Sequence, residues 1–182
     1  MMYTNEEKAI NLVFKAFAGK KRIKEDIDMA SHSILVGYLL KNAGYNEEIV
    51  LTGLLHDLVE DTEITADEIA REFGSTIADN VLQVSENKSI EAWMERKGEF
   101  LVRLKNSNDV IIIVELADKL HNLLSDYDSW KKIGNKAIET LATTYDMNRW
   151  YYLELADLFN KRIDSDNELL KRFNTLIEIY FK

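Results

Sequence analysis

Apolar residues recur three and four positions apart along most of this chain, and no segment alternates apolar with polar as a half-buried strand does. The spacing predicts helices, and capping residues set their starts. Thr4-Asn5-Glu6-Glu7 reads as a capping box for a helix running to about Phe17. A second helix is expected from near Ser31 to Gly44, a good residue just past a helix end. Asn46 then caps a third that starts at Glu47 and ends near His56-Asp57. Thr65-Ala66-Asp67-Glu68 opens a short helix closed by Gly74, and helical spacing continues over Ser75–Val84 and Ile90–Leu104. The run DVIIIVELADKLHNLL starts with β-branched residues, but Leu116, Leu120, Leu123 and Leu124 carry the helical period through it, and its length decides for a buried helix. After Gly134 a long helical stretch is expected with a break near Tyr145-Asp146, and Ser165-Asp166-Asn167-Glu168 reads as a capping box for the last helix. The expected fold is all-α, a single compact bundle of about eight to ten helices.

At 182 residues the chain is read as one domain, 1–182, long enough to bury a core. It has no proline, which permits long helices. It has no cysteine, so any metal must be held by nitrogen and oxygen, and a cytoplasmic setting is expected. The start, MMYTNEEKAINLVF, lacks a basic n-region and an apolar h-region, so no signal peptide is expected. The longest apolar run, Val110–Val114, is too short to span a membrane. A net charge of −9 argues against nucleic acid and anionic membranes as partners. Two basic clusters nevertheless stand out, Lys20, Lys21, Arg22 and Lys24, then Arg96, Lys97, Arg103 and Lys105. They suit either solvated helix faces or the edges of a site for a small polyanion. A homo-oligomer is left open, with aromatics near Trp130 and Trp150 serving equally as interface or as core.

Candidate chemistry gathers in His56-Asp57-Leu58-Val59-Glu60-Asp61-Thr62, one imidazole and three carboxylates within six positions. On a helix Glu60 falls one turn from His56 and Asp61 one turn from Asp57, an arrangement able to hold a divalent metal and leave an acid to handle water. His32 and His56, at neighbouring ends of two antiparallel helices, are brought together. Asp118 lies among Val114, Leu116, Ala117 and Leu120, where a carboxylate is costly unless paired or bound to a cation. The proposed metal cell is His32, His56, Asp57 and Asp118, a nitrogen–oxygen set suited to Mn, Fe, Zn or Co. The third histidine, His121, sits about 60° round the helix from Asp118 and is assigned to structure or to the pocket wall.

With HDLVEDT, a following Phe73-Gly74 and a distant LADKLHNL in this order, the chain resembles the HD superfamily of metal-dependent phosphohydrolases. More narrowly it is similar to the (p)ppGpp hydrolase domain of RelA/SpoT-type enzymes and the small alarmone hydrolases, over about Ile10 to Arg162. The resemblance implies a divalent metal, Mn²⁺ first, on His32, His56, Asp57 and Asp118, with Glu60 and Asp61 as the catalytic pair that positions water. It implies a guanine nucleotide as small-molecule substrate, with Arg22 (Lys21 beside it), Asn122 and Tyr151 around the nucleoside and Lys88, Arg96 and Lys97 facing phosphate. The departures are Asp28-Met29-Ala30-Ser31-His32-Ser33, where the family reads Pro-Tyr-x-x-His-Pro, and Leu123-Leu124, where a Leu-Arg is common. They touch the base and phosphate pockets and leave the metal cell whole. Two alternatives therefore stay open: an HD phosphohydrolase for another nucleotide, and a helical sensor that binds a nucleotide without turning it over.

Overall fold

Helix starts in the computed structural model, which describes residues 4–22, 27–134, 137 and 143–181, follow the side chains that can cap them. Thr4 closes a capping box with Glu7 at the head of α1 (Asn5–Ala16), and Thr65 does the same with Glu68 for α5 (Ala66–Phe73). Asn46 caps α3 (Glu47–Leu55), and Asn108 caps α8 (Asp109–Ile133). Between them lie α2 (Met29–Asn42), the single turn α4 (Leu58–Asp61), α6 (Ser75–Val84) and α7 (Trp93–Lys105). α9 (Tyr145–Arg162) and α10 (Glu168–Tyr180) complete an all-α fold of ten helical segments among the described residues. The only pairing of strand type there is an isolated bridge between Lys21 and Asp28.

One expectation on boundaries needs correction. The last helix is not capped by Ser165: Asn167 takes that place, its side-chain oxygen accepting from the amides of Leu169 and Leu170. Asn167 also donates to Tyr45 Oη at 2.6 Å, tying this helix to the turn between α2 and α3. That tertiary bond selects Asn167 over the Ser165 box the sequence suggests. The expected break near Tyr145 is a fresh start, with Thr144 as the cap. Most of the stretch before it, and Lys24 of the first basic cluster, lie outside the described residues.

α8 is the axis of the molecule. It spans roughly 37 Å at 1.5 Å per residue, and α2, α3, α6, α9 and α10 pack along it. Ile111, Val114, Leu116, Ala117, Leu120 and Leu123 are fully buried on it. α2 and α3 lie against one another so closely that glycine is required on both. A Cβ on Gly37 would stand 2.5 Å from Leu54, and one on Gly53 would strike Leu40. This contact brings the start of α2 to the end of α3 beside the middle of α8. Trp130 and Trp150 pack partly buried against the core, Trp130 edge-on to Tyr180. Among the described residues no helix is long and apolar enough to cross a membrane.

Candidate active site

Three helix segments meet at one buried point. α2 brings His32, the end of α3 brings His56, and α8 brings Asp118; ligand atoms of the three lie within 4.8 Å of one another. The two imidazole Nε2 atoms are 3.2 Å apart, and Asp118 Oδ1 stands 3.0 Å from that of His32 and 3.6 Å from that of His56. Asp57, in the turn between α3 and α4, adds its oxygens at 3.1 Å from His56 Nε2 and 3.4 Å from His32 Nε2. The four residues named from sequence thus converge, with Asp57 on the cleft side and the others buried.

The ring nitrogens are oriented from behind. His56 Nδ1 lies 2.8 Å from the Gly53 carbonyl, which can only accept, so Nδ1 carries a proton and in the neutral ring Nε2 is the nitrogen left to offer a lone pair to the centre. Asp118 is held by Asn122, whose amide donates to Oδ1 at 2.6 Å, and by Lys119 Nζ, 2.6 Å from Oδ2. Burial works against charge here, but partners win. Burial alone would lower the His56 pKa, yet Asp57 and Asp118 raise it well above the ordinary value. Burial would likewise raise Asp118, and Lys119 with the two histidines holds it well below the usual carboxylate range. Asp57 is also lowered against its burial, by His56 and then His32. Two inward imidazole nitrogens facing a buried carboxylate, Asp118, and a partly buried one, Asp57, suit a divalent cation.

Glu60 and Asp61 are engaged by partners outside that cell. The helix breaks at His56-Asp57, so the expected one-turn stacking of Glu60 on His56 is interrupted. Glu60 Oε2 accepts the Glu86 backbone amide at 2.8 Å, and Oε1 lies 3.2 Å from Lys88 Nζ. Burial raises the Glu60 pKa, the Glu86 amide opposing. Asp61 Oδ1 meets Lys88 Nζ at 2.5 Å, and its carbonyl accepts from Lys20 at 2.6 Å. Both acids line the same cleft as the metal cell.

That cleft holds about 550 Å³, room for a nucleotide-sized ligand. At one end Arg22 donates to Asn122 Oδ1 at 3.0 Å, and Lys21 reaches Asp28 at 3.0 Å. Asn122, expected beside a nucleoside, therefore bridges Arg22 to Asp118. At the other end Arg96 and Lys97 pair with Glu86, while Lys97 also lies over the Tyr151 ring at 4.7 Å. Tyr151 lines the wall, its hydroxyl buried and without a hydrogen-bond partner. Lys88 spans the two acids and is absent from the lining.

Sequence reasoning missed one residue and left the place of a second open. Glu86 gathers Arg96 and Lys97 while its amide anchors Glu60, and an isolated acid after α6 gives no sign of this in sequence. His121 is not on the pocket wall: its Nδ1 lies 2.8 Å from His32 Nδ1, behind the metal cell. Its place one turn from Asp118 was the available signal. Burial, then His32 and Arg22, lowers its pKa to about 3.

The chain is similar to several known proteins. A Listeria monocytogenes EGD-e protein of solved structure is 31% identical, with a TM-score of 0.75 over 83% of this chain and 99% of its own. A structure described as a metazoan ortholog of SpoT that hydrolyzes ppGpp is 19% identical, with a TM-score of 0.78 over 98% of this chain and 97% of its own. The mouse guanosine-3′,5′-bis(diphosphate) 3′-pyrophosphohydrolase MESH1 is 35% identical over 57% of this chain and 59% of its own length. A GTP pyrophosphokinase of Streptomyces coelicolor is 30% identical over 74% of this chain, which spans only 16% of that protein. Residues 9–143 match the HD domain, a stretch that includes His32, His56, Asp57 and Asp118: the chain belongs to the HD domain family.

Proposed function

We propose that this protein hydrolyses the 3′-pyrophosphate of guanosine tetra- and pentaphosphate in the cytoplasm, giving GDP or GTP and pyrophosphate. The observation that carries the reading is the pairing of the buried His32, His56 and Asp118, with Asp57 against them, with two further acids, Glu60 and Asp61, on one cleft. The likeness to MESH1 and to the SpoT ortholog, whose names or titles give that activity, supports the choice of substrate.

In this reading His32, His56, Asp57 and Asp118 hold a divalent ion, Mn²⁺ first. The ion supplies Lewis-acid polarisation of the phosphoryl group and lowers the pKa of water. Glu60, its carboxyl raised by burial, takes and returns the proton of the attacking water, and Asp61 orients that water. The oxygen of water bonds to phosphorus as the bond from phosphorus to the 3′-oxygen breaks, and the proton passes to the leaving nucleotide oxygen. Lys88 holds the two acids side by side and leaves them for phosphate oxygens when substrate enters. Arg22 and Lys21 border the nucleoside end with Asn122, and Arg96, Lys97 and Tyr151 line the opposite end.

Product analysis tests this. Mn²⁺-loaded protein is incubated with ppGpp and, separately, with GMP, AMP and a 3′-phosphorylated nucleotide. Stoichiometric GDP and pyrophosphate from ppGpp are expected. Inert ppGpp beside another consumed nucleotide would move the specificity, and metal binding with no turnover would make the protein a sensor.

A further inference from the structure

Both nitrogens of a metal-ligating imidazole matter. One must offer a lone pair inward, which it does only if the proton sits on the other. The Gly53 carbonyl enforces this for His56. Among the described residues no carbonyl takes that place for His32. Its Nδ1 faces another imidazole, His121, at 2.8 Å, with ring centroids 4.8 Å apart. Two Nδ1 atoms at that distance share one proton, so two arrangements compete. With the proton on His121, His32 accepts and carries its own proton on Nε2, where Asp118 Oδ1 at 3.0 Å takes it and the metal loses a ligand. With the proton on His32, Nε2 is free and the cell is complete.

Building on the metal-centre reading above, we propose that His121 is a positioning residue: its Nδ1 accepts the His32 Nδ1 proton and so holds the His32 Nε2 lone pair on the metal. α8 supplies this contact from the same turn as Asp118. Its side chain is also absent from the cleft lining, so it acts through His32 and not on the nucleotide. Asn122, the next residue, braces Asp118. One helical turn thus fixes two of the four ligands from behind, which composition and spacing alone did not reveal.

Two variants and one spectrum test this. His121→Phe keeps a planar ring but removes the acceptor, whereas His121→Asn sets Oδ1 close to where Nδ1 stood. Mn²⁺ affinity, measured by calorimetry without nucleotide, should fall about 10- to 100-fold in His121→Phe and stay within about threefold of wild type in His121→Asn. KM for the nucleotide should move little in either. With only three histidines in the chain, long-range ¹H–¹⁵N spectra of the zinc-loaded wild type can assign each ring, and His32 should be protonated on Nδ1. Wild-type metal affinity in a folded His121→Phe, or a proton on His32 Nε2 in the loaded protein, overturns the proposal; should His121→Phe fail to fold, the spectrum decides. A wild type that binds Mn²⁺ but spares ppGpp defeats the substrate reading alone. One that binds no metal defeats the role of His121 as well.

Discussion

Glu115→Gln should make this protein more stable above neutral pH and leave it unchanged in mild acid. Glu115 is 1% exposed on α8, one turn before Asp118 and Lys119. Its Oε2 lies 3.3 Å from Lys119 Nζ yet accepts no hydrogen bond, and that ammonium is already engaged by Asp118 at 2.6 Å. Burial therefore prevails over the pull of Lys119 and pushes the Glu115 carboxyl from 4.5 up to about 7. The sign follows from linkage. Between those values the folded chain keeps a proton that the unfolded chain has released, so stability falls as pH climbs through the window. The gap corresponds to about 3 kcal/mol, lost in full above about pH 7. Glutamine has the shape of the protonated acid and no charge to lose. The assay is urea unfolding of metal-free wild type and variant at about pH 4 and about pH 8.5, because other titrating groups cancel in the difference. A near-zero difference at the lower pH and a gain of about 3 kcal/mol at the higher are expected. A difference equal at both pH values, or a variant less stable at the higher one, would refute the reasoning.

Other outcomes follow from the same contacts. Glu60→Ala and Asp61→Ala should each lose turnover at least about 10²-fold in single-turnover assays while binding Mn²⁺ normally, whereas His56→Ala should lose both properties. Asn167→Ala should cost about 1 kcal/mol in urea unfolding and Ser165→Ala almost nothing, since Asn167 alone caps α10. Gly53→Ala should destabilise by about 1–3 kcal/mol by forcing a methyl onto Leu40, and a melting temperature equal to wild type would show that α2 and α3 can separate without cost. Mn²⁺ at about 100 times its Kd should raise the melting temperature by the equivalent of about 2.7 kcal/mol, and EDTA should reverse the gain.

Capping residues and helical periodicity made most of the fold legible, because both are local. Thr4, Asn46, Thr65 and Gly74 mark boundaries with side chains or backbone angles that act within one turn. α8 was readable for the same reason: its apolar period survives the β-branched start. The C-terminal cap was misread because two polar residues two positions apart, Ser165 and Asn167, were each competent locally, and a bond to Tyr45, 122 positions away, chose between them.

By itself the sequence determined the all-α class, the helix order and the identity of the residues able to ligate a metal, since each follows from nearest-neighbour chemistry or residue type. Only the tertiary structure decided how those residues face one another. The close approach of α2 and α3 at Gly37 and Gly53 sets His32 Nε2 and His56 Nε2 3.2 Å apart, and the packing of α8 on α2 places His121 behind the cell instead of beside the cleft. The break at His56-Asp57 likewise turns Glu60 toward Glu86 and Lys88. Hydrogen bonds and ion pairs act over about 3 Å, while sequence spacing fixes only which face of a helix a side chain leaves from. Which partner waits on that face depends on chain segments tens of residues away.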